Sequence, residues 1–225
     1  MKKLFSFFYL LTFASLFSQI EEVAIPIDSL YREDQFYFSV CYNLIRNTPT
    51  GYSQYSFSSG FTLGFLRDMP ISKNRNWAIG LGLGYSYNDI KHNLKIVESN
   101  PSNAYSVDNS YDKSKLRFHY LELPVEIRWR NSTYESHKFW RIYTGFKVSY
   151  LVSSKSIFES GAQNAIIQNS DEVVKFQYGP YLSLGYNTIN LYAYYGIKPL
   201  FDNAMIGNNE LKLNSFNLGF IFYIL

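Results

Sequence analysis

Five charged residues sit at alternating positions in two neighbouring stretches of the chain. Glu122, Glu126 and Arg128 fall in "LRFHYLELPVEIRWR" (116–130), and Arg141 and Lys147 in "FWRIYTGFKVSYLV" (139–152). In an extended chain, alternate residues share one face. If residues 131–138 turn one stretch back onto the other, Glu122 lies near Lys147 and Glu126 is diagonal to Arg141. Charges enclosed by protein are tolerated only when paired and hydrogen-bonded. The five are therefore expected to form a salt-bridge network filling an interior; the alternative is a path for ions or protons. Hydrolysis would need a base within reach of a nucleophile, usually a histidine oriented by a carboxylate. The three histidines, His92, His119 and His137, are far apart in sequence, and no serine elbow accompanies any of them. A single cysteine, Cys41, rules out an internal disulfide and any Cys-rich metal site. The expectation is a non-enzymatic protein with no cofactor, no metal and no small-molecule substrate.

The elements that hold these charges are best seen in "WAIGLGLGYSYN" (77–88). Trp77, Ile79, Leu81, Leu83, Tyr85 and Tyr87 alternate with Ala78, Gly80, Gly82, Gly84 and Ser86. A period of two means a strand. In a soluble sandwich the polar face should carry Lys, Glu, Asp and Thr, not glycine and alanine. A small outer-membrane barrel suits the pattern better. Its apolar face meets lipid, and its other face fills a narrow lumen where small residues must stand beside large ones.

Other stretches repeat the alternation. "QFYFSVCYNL" (35–44) turns Phe36, Phe38, Val40, Tyr42 and Leu44 one way, with Tyr37, Ser39, Cys41 and Asn43 the other. "FSSGFTLGFLR" (57–67), "FQYGPYLSLGYN" (176–187), "INLYAYYGIK" (189–198) and "LKLNSFNLGFIFYIL" (211–225) complete the set. The fold class expected is all-β: an antiparallel up-and-down transmembrane β-barrel of about eight strands, outer-membrane type. Pro124 and Pro180 fall mid-strand, where bulges or local edges would have to accommodate the missing donors.

The first 19 residues, "MKKLFSFFYLLTFASLFSQ", read as a secretory signal peptide: two lysines, an apolar run, then small or polar residues. A membrane anchor is the alternative, although the run falls short of the roughly 20 residues a spanning helix needs. The expected organisation is a signal peptide over 1–19, a periplasmic lead-in over 20–34 and a barrel domain over 35–225. Removing Lys2 and Lys3 with the leader takes two from the formal +3, so the mature charge does not suggest nucleic acid. Aromatic residues make up 19% of the chain, more than an ordinary soluble core needs.

Connections near 45–56, 96–114, 155–173 and 199–210 are long and rich in Asn and Ser; those near 68–75, 131–138 and 187–190 are shorter. With both termini in the periplasm, the long set falls outside and the short set inside. Arg67, Lys73, Arg75, Arg130 and Lys138 then form a basic periplasmic rim, while the lead-in is acidic through Glu21, Glu22, Asp28, Glu33 and Asp34. Either these opposite charges meet, or both bind periplasmic partners. The alternative is that the basic residues simply anchor strands at the headgroups. The outer loops show no comparable charge pattern, and loss of much of 155–173 is expected to do little.

These residues also resemble a known family. "DQFYFSVCYNL", "GFTLGFLRDMPISKNRNWAIGLGLGYSYN", "YLELPVEIRWR", "FWRIYTGFKVSY" and "LGFIFYIL" are similar to the PorT (SprT) family. The similarity runs from about Asp34 to Leu225 and is most specific over 60–88. That family consists of outer-membrane β-barrels of Bacteroidetes associated with type IX secretion and, in gliding species, with gliding motility. The resemblance implies an outer-membrane location, contacts with outer-membrane lipid and with other type IX components, and no catalytic residues to carry over. The C-terminus also resembles a recognition signal for the barrel-assembly machinery, carried by Asn217, Gly219, Phe222 and Ile224, with the departure that Leu225 is not aromatic. A last strand with an apolar face would look the same. The function expected is a component acting through assembly or protein contacts, not as the conduit. An adhesive barrel working through its outer loops and a lipid-modifying enzyme are the alternatives.

Overall fold

The computed structural model describes residues 34–100, 102–131, 139–161 and 163–224. The expected leader, the lead-in before Asp34, His137 and Lys138 lie outside the described residues. Runs of alternating aromatic and β-branched residues form strands because such side chains pack well on a pleated surface. In chain order these are β1 (Gln35–Arg46), β2 (Ser59–Pro70), β3 (Trp77–Lys91), β4 (Leu94–Val97), β5 (Ala104–Val107), β6 (Lys113–Arg130) and β7 (Trp140–Ser160). There follow β8 (Gln163–Gln168), β9 (Phe176–Tyr186), β10 (Ile189–Tyr195), β11 (Met205–Ile206), β12 (Asn209–Glu210) and β13 (Asn214–Ile224).

Eight of them close into an antiparallel barrel in the order β6-β3-β2-β1-β13-β10-β9-β7, with β6 pairing β7 to complete the ring. Closure removes the open edges that lipid could not satisfy. Parity divides the wall as the sequence predicts. Phe36, Leu63, Leu83 and Leu123 face outward and are more than half exposed, as lipid contacts must be. Tyr37, Tyr143, Tyr181, Tyr192 and Tyr223 point inward and are buried.

Space in the lumen explains the glycines of β3. A Cβ on Gly80 would lie 2.7 Å from Nε of Arg128, and one on Gly64 would lie 2.5 Å from the Tyr37 ring. Gly84 is pressed against the Tyr37 hydroxyl in the same way. The bare face exists because large side chains from other strands cross over it.

Pro124 produces no bulge. The β3–β6 ladder instead skips Gly82 and Leu83, the positions opposite Pro124 and Leu123, and resumes at Gly84↔Glu122. The bulge lies elsewhere, between His119 and Tyr120 in the β6–β7 pairing.

The long connections differ from the expected loops. β6 and β7 extend well past the lipid-facing band, β8 adds to β7, and β4–β5 and β11–β12 form small hairpins. Leu94, Ile96, Tyr105, Leu116, Phe118, Val173, Leu200, Phe201, Leu211 and Leu213 pack together as an apolar cluster over one end of the barrel. Residues 155–173 are not an open loop: they hold the end of β7 and β8, and Val173 belongs to this cluster, so their deletion would uncover apolar surface.

Candidate functional site

The inward face of β6 and β7 carries the charges that the alternation placed there. Lys147 Nζ donates to Glu122 Oε1 at 2.8 Å, with both side chains buried. The ammonium also lies 4.3 Å from the Tyr194 ring centre and 5.8 Å from that of Tyr192, so aromatic faces share its charge. Glu126 pairs along its own strand: Arg128 Nε donates to Oε2 at 2.7 Å, and the Tyr181 hydroxyl donates to Oε1 at 2.8 Å.

Arg128 continues the network to β2. Its Nη1 donates to Asp68 Oδ1 at 3.0 Å, and its guanidinium lies 4.9 Å from the Tyr143 ring centre. Arg130 then grips Asp68 through both nitrogens at 2.8 Å, and its Nε donates to the carbonyl of Arg75 at 3.2 Å. Asp68, Arg128 and Arg130 have no exposed side-chain area. Bidentate guanidinium–carboxylate pairing of this kind is strong and fixes orientation.

Two expectations are corrected here. Arg130 is not on the rim; it has the parity of Glu122 and Arg128 and enters the lumen. Arg141 does not reach Glu126. It is buried, donates to the carbonyl of Asn187 at 2.7 Å, and rests against Phe139 and Tyr223. The direct cause is register: Glu126 stands opposite Gly145, whereas Arg141 stands opposite Arg130, at the end of the β6–β7 ladder. Asp68 was overlooked as a lumen residue, although it shares inward parity with Gly60, Gly64 and Leu66 on β2.

The rest of the rim is sparse. Arg67 pairs with Asp34 at 3.0 Å, so at least one acidic residue of the expected lead-in meets a basic one. Lys73 is exposed. Arg75 is half-buried at φ 58°, and its carbonyl receives Arg130. At the C-terminus, Asn217 donates to Asn43 Oδ1 at 2.8 Å and Gly219 is pressed against the Val40 carbonyl. Phe222 stacks on Phe38 at 6.4 Å, and Ile224 faces out. All four face β1 partners in register, which places the signal-like residues on the closing seam.

The histidines serve different surroundings. His92 is fully buried in the cap, and its Nδ1 accepts from the Leu94 amide at 2.8 Å. His119 lies on the outward face, its Nδ1 2.5 Å from the Tyr85 hydroxyl.

Two cavities of about 30 and 20 Å³ flank the Glu122–Lys147 pair, one toward each end of the lumen. Each has room for about one water. An inward-pointing charged and tyrosine network of this density, inside a closed ring of eight strands with an apolar outside, is that of a filled transmembrane barrel. Residues 17–202 match the family described as outer membrane protein beta-barrel domain. The chain belongs to that family. Among solved structures, the crystal structure of Ail, the attachment invasion locus protein of Yersinia pestis, is similar over 87% of this chain and 100% of that one, at 15% identity and a TM-score of 0.42. None of the curated proteins compared with the chain matches it. This outer-membrane β-barrel is accordingly a multi-pass protein of the outer membrane, with short turns at one end and the apolar cap at the other.

Proposed function

We propose that this outer-membrane barrel is a non-enzymatic component of type IX protein secretion, with gliding motility where present, acting through assembly or protein contacts. What supports the system is the resemblance of "GFTLGFLRDMPISKNRNWAIGLGLGYSYN" and the other quoted runs to the PorT family. The observation that carries the mode of action is the plugged lumen. Cavities that hold about one water each leave no route for a protein chain. On this reading residues 1–19 direct export, residues 20–34 lie in the periplasm, and the Asn217–Ile224 seam is read by the assembly machinery.

Deleting the gene and following a type IX cargo tests the reading. Cargo should accumulate in the periplasm and return to the medium on complementation; normal secretion in the deletion strain would overturn it. Steady, large conductance of the purified barrel in planar bilayers would overturn the non-conduit part.

A second reading, adhesion, is favoured by the ordered cap. There β8 ends the sheet with its outer edge unpaired among the described residues, and Ile166 is 54% exposed. Such an edge is a template for another chain. Unchanged secretion with lost adhesion would select this reading.

A further inference from the structure

On the outward face of β3, β6 and β7, the apolar wall stops at Tyr85, Tyr87 and His119, the aromatic level where the strands leave the lipid. Two residues further on, about 7 Å along the strand, the same face becomes charged. Asp89 stands opposite Arg117 and Lys91 opposite Lys115, while Arg117 stands opposite Lys155 on β7. Like charges placed directly opposite destabilise a sheet, and here there are two such pairs, Lys91 with Lys115 and Arg117 with Lys155.

Only one carboxylate within the group offsets them. Asp89 accepts from Arg117 Nε at 2.9 Å and lies 4.0 Å from Lys115 Nζ. Lys91 reaches only the hydroxyl of Ser56, at 3.5 Å, and Lys155 has no acidic partner among the described residues. Lys113 is occupied by Glu159 at 2.7 Å. Four cations therefore face one anion, on a side-chain shelf that is partly shielded: Lys115 and Arg117 are 15% and 33% exposed.

Folding alone would not favour this arrangement, and an anion resting on the shelf would remove its repulsion. The shelf faces away from the barrel axis, directly above the lipid-facing wall, at the end opposite the short periplasmic turns. A ligand there has its apolar part beside Tyr85 and Leu121 and its charged part level with the ammonium groups. We propose that Lys91, Lys115, Arg117 and Lys155 bind the phosphate of an outer-leaflet lipid, a phosphorylated lipid A headgroup. Arg117 supplies planar donors for phosphate oxygens, and the lysines supply point charges.

Native mass spectrometry of the full mature barrel in zwitterionic detergent, titrated with diphosphoryl lipid A, tests this. The wild-type should take up the lipid saturably, and the triple variant Lys91→Gln/Lys115→Gln/Lys155→Gln should bind about tenfold or more weakly, with heat-modifiable folding retained. Should the triple variant fail to fold, Lys155→Gln alone, which removes no ion pair, is expected to weaken uptake about fivefold. Equal uptake of fully dephosphorylated lipid A would overturn the proposal, as would unchanged affinity in the variants. Inorganic phosphate binding as tightly as the lipid would also overturn it, marking a simple anion site.

Discussion

Arg130 at the end of β6 holds both oxygens of Asp68 on β2 at 2.8 Å, across β3 and with neither side chain exposed. Because Asp68 also accepts from Arg128, it balances two buried guanidinium groups. Removing it by Asp68→Ala takes this carboxylate from Arg130 and leaves Arg128 with Glu126, at a cost of about 3–5 kcal/mol. The heat-modifiable folded band should be lost at a lower temperature or lower urea concentration than in wild-type. Unchanged resistance would mean that water replaces the carboxylate.

The Glu122–Lys147 pair bridges the middle of the lumen and allows a cleaner comparison. Glu122→Ala leaves an ammonium enclosed, whereas Glu122→Ala with Lys147→Ala removes both charges. The single variant should unfold in urea more readily than the double. Equal loss in the two would mean that the tyrosine rings alone can hold Lys147.

Space in the lumen gives a second compensating pair. A methyl at Gly84 collides first with the Tyr37 hydroxyl, the nearest atom to the position it would take. Gly84→Ala should therefore cost about 1–3 kcal/mol, and Tyr37→Phe in the same chain should restore much of it. Failure of Phe to rescue would point instead to the Leu63 carbonyl, 3.3 Å from the same position.

Alternation located most of this lumen. Glu122, Glu126, Arg128 and Lys147 were legible from parity alone, as were the inward tyrosines. Asp68 and Arg130 obey the same rule, but their closeness to turns made them resemble rim charges. Charge near a strand end is ambiguous in sequence because a long side chain can turn back into the barrel. Pairing along one strand, as between Glu126 and Arg128, is equally invisible to a register argument that looks only across strands. The cap was hidden for another reason. Tyr105, Val173 and Phe201 lie in connections rich in Asn and Ser, Leu94 and Leu213 just outside them, and only the closed barrel brings these positions together.

The cap should respond to acid through His92. Its Nδ1 accepts the Leu94 amide, so a second ring proton would oppose that donor, and burial holds the imidazole down at about 3, from 6.5 when exposed. The folded cap therefore binds the proton less readily than the opened one. Its stability is fully present above about pH 6.5 and falls by about 1.4 kcal/mol per pH unit below that, until about pH 3. Hydrogen exchange of residues 92–107 should quicken between pH 7 and pH 5 beyond the intrinsic change, and His92→Gln should abolish that pH dependence. An unchanged pH profile in the variant would show that another group controls the cap.

If type IX partners engage the barrel from the periplasm, its accessible charges there must matter more than its buried ones. Arg130 is unavailable, being committed to Asp68, and Arg75 supplies the carbonyl that orients Arg130. Arg67 and Lys73 are the exposed cations of the first turn, and Arg67 already holds Asp34. Reversing both, Arg67→Glu with Lys73→Glu, leaves the lumen network untouched and should be close to neutral for stability, since exposed pairs contribute about 0–1 kcal/mol. Cargo release should nevertheless fall sharply while barrel insertion stays normal. Lys138 reversal should deepen the defect. Cap variants that keep the barrel folded should secrete normally. Loss of secretion in the cap variants, with normal secretion after rim reversal, would place the working surface at the outer end and leave the rim as headgroup anchors alone.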